Sequence, residues 1–375
     1  MPHFSFENYH RLVIKVGSSL LIGDDGHVHR RWLEGLASDV AMLHGQGHEV
    51  LIVSSGAIAI GSTILGINKR RARLEDLQAA AAAGQVQLVH AYQEVLGEHD
   101  IIAAQVLLTP GDTENRRRFL NARSTLSRLL ERSVVPVINE NDTVATEEIR
   151  YGDNDRLAAR VAQLVMADVL ILLSDVDGLY SADPSKSKDA VHIAEVQQIS
   201  DAILAVAGET RSATGSGGMA TKVQAARIAT HAGCSTIVTS GAIERPLSAL
   251  AAGSRCTIFR AQGTPASARK QWLAGALEVC GELRLDAGAT RALRAGSSLL
   301  PVGVVAVGGD FRRGDIVSVL DANGTEFGRG LAEYSSEEAA LIAGCQSEQI
   351  EERLGYRGRA VMLHHDELVV FSNDN

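Results

Sequence analysis

Cysteine is scarce in this sequence, and its copies lie far apart. The four cysteines are Cys234, Cys256, Cys280 and Cys345, and no two of them form a Cys-x-x-Cys pair. Four scattered cysteines in 375 residues are too few for a disulfide-dense scaffold, and the lack of a Cys-x-x-Cys pair argues against a structural zinc site. We therefore expect a protein of the reducing cytoplasm.

Long apolar runs and an excess of positive charge are also missing. No apolar run reaches the ~18–20 residues that span a bilayer. The first residues, MPHFSFENYHR, lack a basic segment followed by an apolar core, so no signal peptide is expected. The net charge of −9 argues against extensive, sequence-independent binding to nucleic acid.

The chain does have the composition of an ordinary globular protein, with strands and helices in regular alternation. Its 375 residues, 45% hydrophobic and 22% charged, allow two or three domains. Apolar runs predict strands at 11–20, 49–53, 101–108, 134–138, 168–175 and 235–239, and helical periodicity predicts helices at 30–45, 78–96 and 115–132. The alternation predicts a mainly parallel sheet with helices on both faces.

Two strand ends carry residues suited to binding anions. Lys15 lies inside the apolar run 11–20, before a Gly-Ser-Ser turn, so it either reaches water at a strand edge or meets a phosphate at the strand's end. The strand 49–53 is followed by Ser54-Ser55-Gly56, which is either a plain turn with a serine cap or a helix start that binds an anion. The residues alone leave both alternatives open at each place.

The most polar strand end lies between Val134 and Asp155. An apolar strand breaks there into amides and carboxylates, which are Asn139, Glu140, Asn141 and Asp142, and later Asp153, Asn154 and Asp155. In α/β enzymes, polar recognition is placed where strands end in such groups. We interpret this stretch as a site that holds a small amino acid beside the terminal phosphate of a nucleotide.

The nucleotide would bind further along the chain. The apolar strand 168–175 ends in Ser174-Asp175, and residues 210–222, TRSATGSGGMATK, form a Gly- and Ser-rich loop that leads into a helix. This loop does not fit a P-loop, and its Gly-x-Gly-x-x-Ala pattern lacks the preceding strand of a dinucleotide fold. It is either a plain surface loop or a loop whose amides cover phosphates, with Lys222 in the first turn of the helix.

The last third of the chain has a different pattern. Residues 263–279 are predicted to be a linker, and from residue 281 short glycine-rich strands predict a small β-rich domain. Residues 296–315, GSSLLPVGVVAVGGDFRRGD, resemble the PUA domain, a fold often found in RNA-modifying enzymes. Acidic side chains outnumber basic ones in this domain, so a structural or regulatory role is favoured and RNA binding is the second hypothesis. Residues 359–375 are expected to form a C-terminal tail.

Five segments, taken in order, carry a family resemblance. They are LVIKVGSSLL, SSGAIAIG, VVPVINENDTVATEEIRYGDND, LLSDVDGLYSADP and GSGGMATK. Their order and spacing resemble the glutamate-phosphorylating members of the amino-acid kinase family over nearly the whole chain. The resemblance implies a three-layer α/β/α kinase domain with a mainly parallel central sheet at residues 9–262, followed by the linker and a PUA-like domain at residues 280–358.

The resemblance also implies a reaction. The γ-phosphoryl group of ATP would pass to the γ-carboxylate of L-glutamate, giving L-glutamyl 5-phosphate, the first intermediate of proline biosynthesis. ATP would be the co-substrate, together with Mg²⁺. The resemblance further implies a homo-oligomer, either a dimer or a tetramer, and feedback inhibition by proline. Another amino-acid acceptor, such as aspartate, is the closest alternative.

Roles for individual residues follow from the same resemblance. Lys15 and Lys222 would bind and neutralise the phosphoryl group, and Asp155 would hold these lysines in place. The glutamate-binding positions would be Ser55, Asp142 and Asn154. The ATP-binding positions would be Lys15, Ser174, Asp175, Ser216, Gly217, Gly218, Met219, Ala220, Thr221 and Lys222.

The chemistry of this reaction fits the residue types in these loops. A glutamate carboxylate has a pKa of about 4.3 and is ionised at neutral pH, so no general base is needed. The difficulty is bringing one anion against another, which paired lysines and backbone amides can overcome. The ammonium of the substrate needs a carboxylate from Asp142 or Asp153, while Asn139 and Asn154 can orient both ends. Residues 143–150 could form a lid or a proline-sensing flap.

Overall fold

The chain divides into two compact units, Met1–Pro265 and Ala266–Asn375. The structure is a computed structural model that describes residues 4–23, 25–69, 71–144, 154–208, 218–276 and 278–371. Within these ranges, no helix is both long enough and apolar enough to cross a membrane.

The first unit alternates strands and helices. Its strands are β1 (Arg11–Val16), β2 (Glu49–Ser54), β3 (Ala103–Leu108), β4 (Val135–Glu140), β5 (Val169–Ser174), β6 (Leu179–Tyr180), β7 (His192–Ile193), β8 (Glu195–Val196), β9 (Ser235–Ser240) and β10 (Cys256–Phe259). Its helices are α1 (Ser18–Leu21), α2 (Arg30–Gly45), α3 (Ala57–Ile64), α4 (Leu74–Gly97), α5 (Pro110–Glu114), α6 (Arg116–Leu130), α7 (Asn154–Leu164), α8 (Asp201–Gly208), α9 (Met219–His231) and α10 (Pro246–Ala251).

Eight of these strands form one sheet, in the order β3-β4-β2-β1-β5-β9-β10-β8. Neighbouring strands are parallel except β9 and β10, which are antiparallel. Strands β6 and β7 form a separate antiparallel pair. The predicted α/β/α architecture with a mainly parallel sheet is confirmed. The sequence predicts neither the edge strand β8 nor its neighbour β10, which lies between β9 and β8.

Alternation along each strand sends side chains into two cores, one on each face of the sheet. In β1, Leu12 and Ile14 pack with residues of α2 and α4, whereas Val13 packs on the opposite face with residues of α7 and α9. Residues two apart on a strand share a face. Lys15 therefore projects with Val13 towards α7 and α9, and Asn139 of β4 projects with Val137 towards α4.

Helices α3 and α4 pack so closely that only glycine fits at two positions, Gly61 and Gly84. A Cβ at Gly61 would lie 1.7 Å from the carbonyl oxygen of Ala80, and a Cβ at Gly84 would lie 1.9 Å from that of Ala57. Ala57 is the first residue of α3, directly after Ser55-Gly56. The contact therefore fixes the turn that carries Ser55 against α4.

The second unit is β-rich. Its strands are β11 (Gly281–Leu285), β12 (Val304–Gly309), β13 (Ile316–Leu320), β14 (Glu326–Leu331) and β15 (Leu368–Val370), in the sheet order β12-β11-β13-β14-β15. Its helices are α11 (Pro265–Ala274), α12 (Ala287–Arg294), α13 (Ser336–Ile342) and α14 (Ile350–Leu354). The segment predicted as a linker, residues 263–279, thus contains α11, which begins at the last residue of the first unit.

The prediction that the C-terminal residues form a tail is wrong for residues 359–371. Strand β15 pairs antiparallel with β14, with Val370 opposite Gly328. Leu363 is fully buried in the core of the second unit, and the buried carboxylate of Glu367 accepts a hydrogen bond from Arg269 Nε at 2.9 Å. Residues 359–371 are therefore part of this folded unit, because their apolar side chains complete its core and their backbone completes its sheet.

Candidate active site

A buried carboxylate between two lysines lies at the carboxyl end of the central strands. Asp155 Oδ1 is 2.5 Å from Lys15 Nζ, and Asp155 Oδ2 is 3.0 Å from Lys222 Nζ. Asp155 is fully buried, and Lys15 and Lys222 are only 6% and 5% exposed. We call these three residues the Lys–Asp–Lys group. Its net charge is +1 when all three are ionised.

Two opposing effects act on the carboxyl group of Asp155. Burial by itself would raise its pKa, because an ionised carboxylate is poorly solvated inside the protein. The charges of Lys15 and Lys222, and the hydrogen bonds from both, outweigh burial, and the pKa of Asp155 lies below its usual value. Asp155 is therefore ionised at neutral pH and holds both ammonium groups in place.

Three separate elements bring the group together. Lys15 comes from β1, Asp155 from the first turn of α7 and Lys222 from the first turn of α9. All three meet on the face of the sheet that α7 and α9 cover. Thr221 Oγ1 adds a contact, since it lies 3.3 Å from Asp155 Oδ2 and donates to Gly218 O at 2.7 Å. The start of α9 is thereby tied to the same carboxylate.

A chain of side-chain amides lies beside this group, on the α4 side. Asn154 Nδ2 donates to Ser55 Oγ at 2.7 Å, to the carbonyl oxygen of Ser54 at 2.8 Å and to Asn139 Oδ1 at 3.1 Å. Asn139 Nδ2 in turn donates to Gln85 Oε1 at 2.8 Å, and both of these residues are buried. We call Ser55, Gln85, Asn139 and Asn154 the amide network.

Helix α4 supports this network at a second point. The hydroxyl groups of Tyr92 and Ser54 lie 3.1 Å apart, and both side chains are buried. Burial raises the pKa of Tyr92, so its hydroxyl stays protonated and can donate. Gln85 and Tyr92 are seven residues apart, which places them on the same face of the helix.

Asn154 and Asp155 join the two clusters, because they are consecutive residues at the start of α7. Asn154 reaches the amide network, and Asp155 pairs with the two lysines. A molecule that contacts Asn154 therefore lies next to a pair of ammonium groups. This arrangement suits the transfer of an anionic group to a polar acceptor.

The residues expected to bind the nucleotide follow the adjacent strand. Ser174 is buried at the end of β5, next to β1, and its hydroxyl donates to Asp175 Oδ1 at 2.9 Å. Gly17, at the end of β1, is also close, since a Cβ there would lie 3.9 Å from Lys15 Nζ. Glycine thus leaves open the space beside the ammonium, where a phosphate oxygen could lie. Gly218, Met219 and Ala220 continue from the loop into the first turn of α9.

The structure describes only some of the remaining predicted site residues. Asp142 follows β4 in a turn, with its side chain partly buried. Asp153, Ser216 and Gly217 lie outside the residues that the structure describes. Within the described ranges, the structure brings Lys15, Ser55, Asn139, Asn154, Asp155 and Lys222 into the two joined clusters.

Sequence reasoning missed the contributions of α4. Neither Gln85 nor Tyr92 is a candidate in the sequence analysis, which predicts only that residues 78–96 form a helix. A signal was present, since Gln85 falls on the same face as the fully buried Leu88 and Tyr92. A polar residue on the buried face of a helix is a candidate for a structural or functional hydrogen bond.

Comparisons with known proteins identify the family. The model of the amino acid kinase family matches residues 10–240, and the model of the PUA domain matches residues 281–354. A glutamate 5-kinase of Brucella anthropi is 53% identical over 98% of this chain and 98% of its own. A glutamate 5-kinase of Paramagnetospirillum magneticum is 55% identical over 96% of this chain and 97% of its own. A solved structure of isopentenyl phosphate kinase covers 67% of this chain and all of its own, with 18% identity and a TM-score of 0.47.

The family model covers more than half of the chain, and the two glutamate 5-kinases match nearly all of it, so the chain belongs to the amino acid kinase family. Its similarity to the curated glutamate 5-kinases extends over both units, including the PUA domain.

Proposed function

We propose that this protein transfers the γ-phosphoryl group of ATP to the γ-carboxylate of L-glutamate, giving L-glutamyl 5-phosphate, the first step of proline biosynthesis. The observation that carries the proposal is the placement of a buried pair of lysines directly beside the amide network. The name of the full-length relatives selects glutamate from the possible amino-acid acceptors.

The reaction needs positive charge more than it needs a base. The γ-carboxylate oxygen attacks the γ-phosphorus, the bond from this phosphorus to the β–γ bridging oxygen breaks, and ADP leaves with the electron pair. The carboxylate is already ionised at neutral pH, so no proton has to be removed. Lys15 and Lys222 would neutralise the charge that gathers on the phosphoryl oxygens in the transition state. Asp155 acts as a positioning residue that keeps both ammonium groups aimed at one point.

The amino-acid end would be bound by the amide network and the turn after β4. Asn154 directs Nδ2 at protein oxygens, and its Oδ1 can only accept hydrogen bonds, so Asn154 would bind a donor such as the ammonium of glutamate. Asp142 would supply the carboxylate partner of that ammonium, together with Asp153. Ser55 would contact the same substrate from the end of β2.

The nucleotide would extend from the Lys–Asp–Lys group along the end of β5. Ser174 and Asp175 lie there, and the segment from Ser216 to Lys222 would cover the phosphates with backbone amides. The first turn of α9 also favours negative charge through the helix dipole. ATP would thus approach the acceptor from the side of the sheet opposite to α4.

Magnesium fits this site as a companion of ATP and not as a resident ion. Among the described residues, the group of three possible metal ligands is His364, His365 and Asp366, in the second unit. In the first unit, both oxygens of Asp155 are taken by lysines. Mg²⁺ on the ATP phosphates would withdraw negative charge from the transferred group.

The PUA domain, the oligomeric state and regulation belong to the same proposal. We assign the PUA domain a structural or regulatory role, with RNA binding as the second candidate because the fold resembles that of RNA-modifying enzymes. We expect a homo-oligomer in the cytoplasm that proline inhibits in competition with glutamate. An electrophoretic shift with structured RNA that weakens steeply as salt is added would favour the second candidate.

A trapping assay tests the proposed reaction. Purified protein, Mg-ATP and hydroxylamine are mixed with L-glutamate or L-aspartate. Hydroxylamine converts an acyl phosphate into a hydroxamate, which gives a coloured complex with added Fe(III). We expect ATP-dependent hydroxamate with glutamate and little with aspartate. A signal with aspartate and none with glutamate would assign the protein a different acceptor.

A further inference from the structure

Among the described residues, the side chain of Gln85 makes a single hydrogen bond, and its partner belongs to the proposed substrate site. Its Oε1 accepts a hydrogen bond from Asn139 Nδ2 at 2.8 Å. Its Nε2 is buried and has no hydrogen-bond partner among the described residues, and the whole side chain is only 9% exposed. A buried donor without a partner costs free energy. Methionine or leucine would avoid that cost, so packing alone does not account for glutamine here.

The contact fixes the direction in which the amide of Asn139 points. With Nδ2 held by Gln85, Asn139 Oδ1 faces the other way and accepts from Glu140 N at 2.9 Å and from Asn154 Nδ2 at 3.1 Å. Asn154 can then use Nδ2 for protein oxygens and keep Oδ1 for a donor of the substrate. The polarity of the whole network thus depends on an acceptor at position 85.

The fold explains why this acceptor comes from α4. Asn139 lies on the α4 face of β4, and the glycine at position 84 lets α4 approach α3 to within backbone contact. Gln85 is the next residue, so its position relative to the sheet is fixed by that close packing. A buried glutamine on a tightly packed helix is a rigid support for an amide.

We infer that Gln85 is a positioning residue for the amino-acid substrate, acting through Asn139 on Asn154. The inference rests on the proposed function and adds a residue on α4 to the determinants of substrate affinity. Without the acceptor, Asn139 Nδ2 becomes a buried donor with no partner, and the side chain rotates to find one. Asn139 Oδ1 then leaves Asn154, and the ammonium site loses its shape.

Two substitutions at position 85 separate the acceptor from the rest of the side chain. Gln85→Met keeps the length and removes the acceptor, so we expect the KM for glutamate to rise about 10- to 100-fold. Gln85→Glu keeps an acceptor oxygen towards Asn139 and replaces the unpartnered Nε2 by a second carboxyl oxygen, so we expect it to stay within about fivefold of the wild type. The KM for ATP and kcat should change less than about threefold in both variants, because the Lys–Asp–Lys group is intact.

Controls on the same helix distinguish positioning from a general loss of packing. Gln87→Met makes the same chemical change at an exposed site, and Leu88→Ala removes buried volume on the same face. We expect Leu88→Ala to lower the melting temperature while the glutamate KM stays near that of the wild type. A rise in KM in Leu88→Ala equal to that in Gln85→Met would overturn the inference. An equal loss in Gln85→Met and Gln85→Glu would also overturn it, because an acceptor oxygen at position 85 would then not restore substrate binding.

Calorimetric titration with L-glutamate gives the same comparison without turnover. Wild-type protein that binds glutamate but forms no hydroxamate would contradict the proposed reaction. A loss of that binding in Gln85→Met, with its return in Gln85→Glu, would still support the inference. Wild-type binding that is unchanged in Gln85→Met would contradict the inference and leave the proposed reaction intact.

Discussion

Replacing Asp155 by asparagine would leave two buried ammonium groups without a counter-charge. In the wild type, Asp155 accepts contacts from Lys15 and Lys222 at 2.5 Å and 3.0 Å, and all three side chains are nearly inaccessible to water. Asparagine has almost the same shape but no charge. The Asp155→Asn variant therefore tests the charge itself rather than the packing.

The size of the effect follows from the geometry. At an effective dielectric constant of about 20, each pair attracts with roughly 6 kcal/mol, most of which offsets the cost of burying three ions. Removing one partner of a buried pair costs about 3–5 kcal/mol net, because the remaining charge stays buried. At roughly 2 °C per kcal/mol for a domain of this size, the melting temperature should fall by ~6–10 °C.

Activity should fall further than the loss of stability explains. Without Asp155, the two ammonium groups repel each other and move away from the transferred phosphoryl group. We expect kcat to fall by about 10²–10³-fold, the effect of removing a preorganised charge from a transition state. The KM for ATP should change little, because the phosphates can still attract both lysines.

The pH dependence of stability gives a second measurement. The folded state lowers the pKa of Asp155, so its stabilising effect is present above the unfolded pKa of about 3.9 and is lost as pH falls through the lower folded value. Urea unfolding of the wild type and Asp155→Asn should differ by a constant free energy from about pH 8 to pH 5, and the difference should shrink below about pH 4. Equal stability and equal kcat at neutral pH would refute the reasoning.

Four further predictions address other parts of the molecule. Lys15→Ala and Lys222→Ala should each lower kcat by about 10²–10³-fold with smaller changes in KM, as steady-state kinetics would show. Asp142→Ala should raise the glutamate KM about 10- to 100-fold and leave the ATP KM nearly unchanged in the same assay. Asp39→Ala should lower the free energy of urea unfolding by about 3 kcal/mol with unchanged kinetics, because buried Asp39 accepts from Leu247 N, Ser248 N and Arg245 Nε. Gly84→Ala should lower the melting temperature and raise the glutamate KM, since its Cβ would press on the start of α3.

Each of these predictions has a contrary outcome. Normal kcat in both lysine variants would remove the charge-neutralising role, and equal losses for both substrates in Asp142→Ala would indicate a collapsed loop. A kinetic defect in Asp39→Ala would connect it to catalysis. For Gly84→Ala the control is Gly97→Ala at the end of the same helix, where a Cβ would contact nothing within 4 Å. A similar loss in both glycine variants would point to helix propensity instead of packing.

The parts of the fold that follow from periodicity could be predicted from the sequence. Helix 30–45 was placed at its observed limits, and β2 and β9 differ by one residue at the end. The sequence also predicts Lys15 at the end of a strand, and Asn154 and Asp155 in the polar stretch that follows the strand 134–138. It does not predict helix α7, which begins at Asn154. In a segment with strongly periodic apolar residues, the spacing of these residues alone indicates whether it forms a helix or a strand.

Other features depend on contacts that no local pattern encodes. Residues 359–375 were expected to form a C-terminal tail, yet β15 pairs with β14, which lies about 40 residues earlier in the sequence. Gln85 is separated from Asn139 by 54 positions, and only the packing of α4 against β4 brings them together. Side-chain networks of this kind require the fold before they can be recognised.

The central claim is that a carboxylate oxygen of glutamate attacks the γ-phosphorus of ATP. L-Glutamate labelled with ¹⁸O in its γ-carboxylate, incubated with the protein, Mg-ATP and hydroxylamine, tests this claim directly. Hydroxylamine attacks the acyl carbon, so the bridging oxygen leaves with the phosphate, and mass spectrometry should find one ¹⁸O in each released phosphate. Phosphate released without ¹⁸O would mean that water attacks ATP, and it would contradict the account.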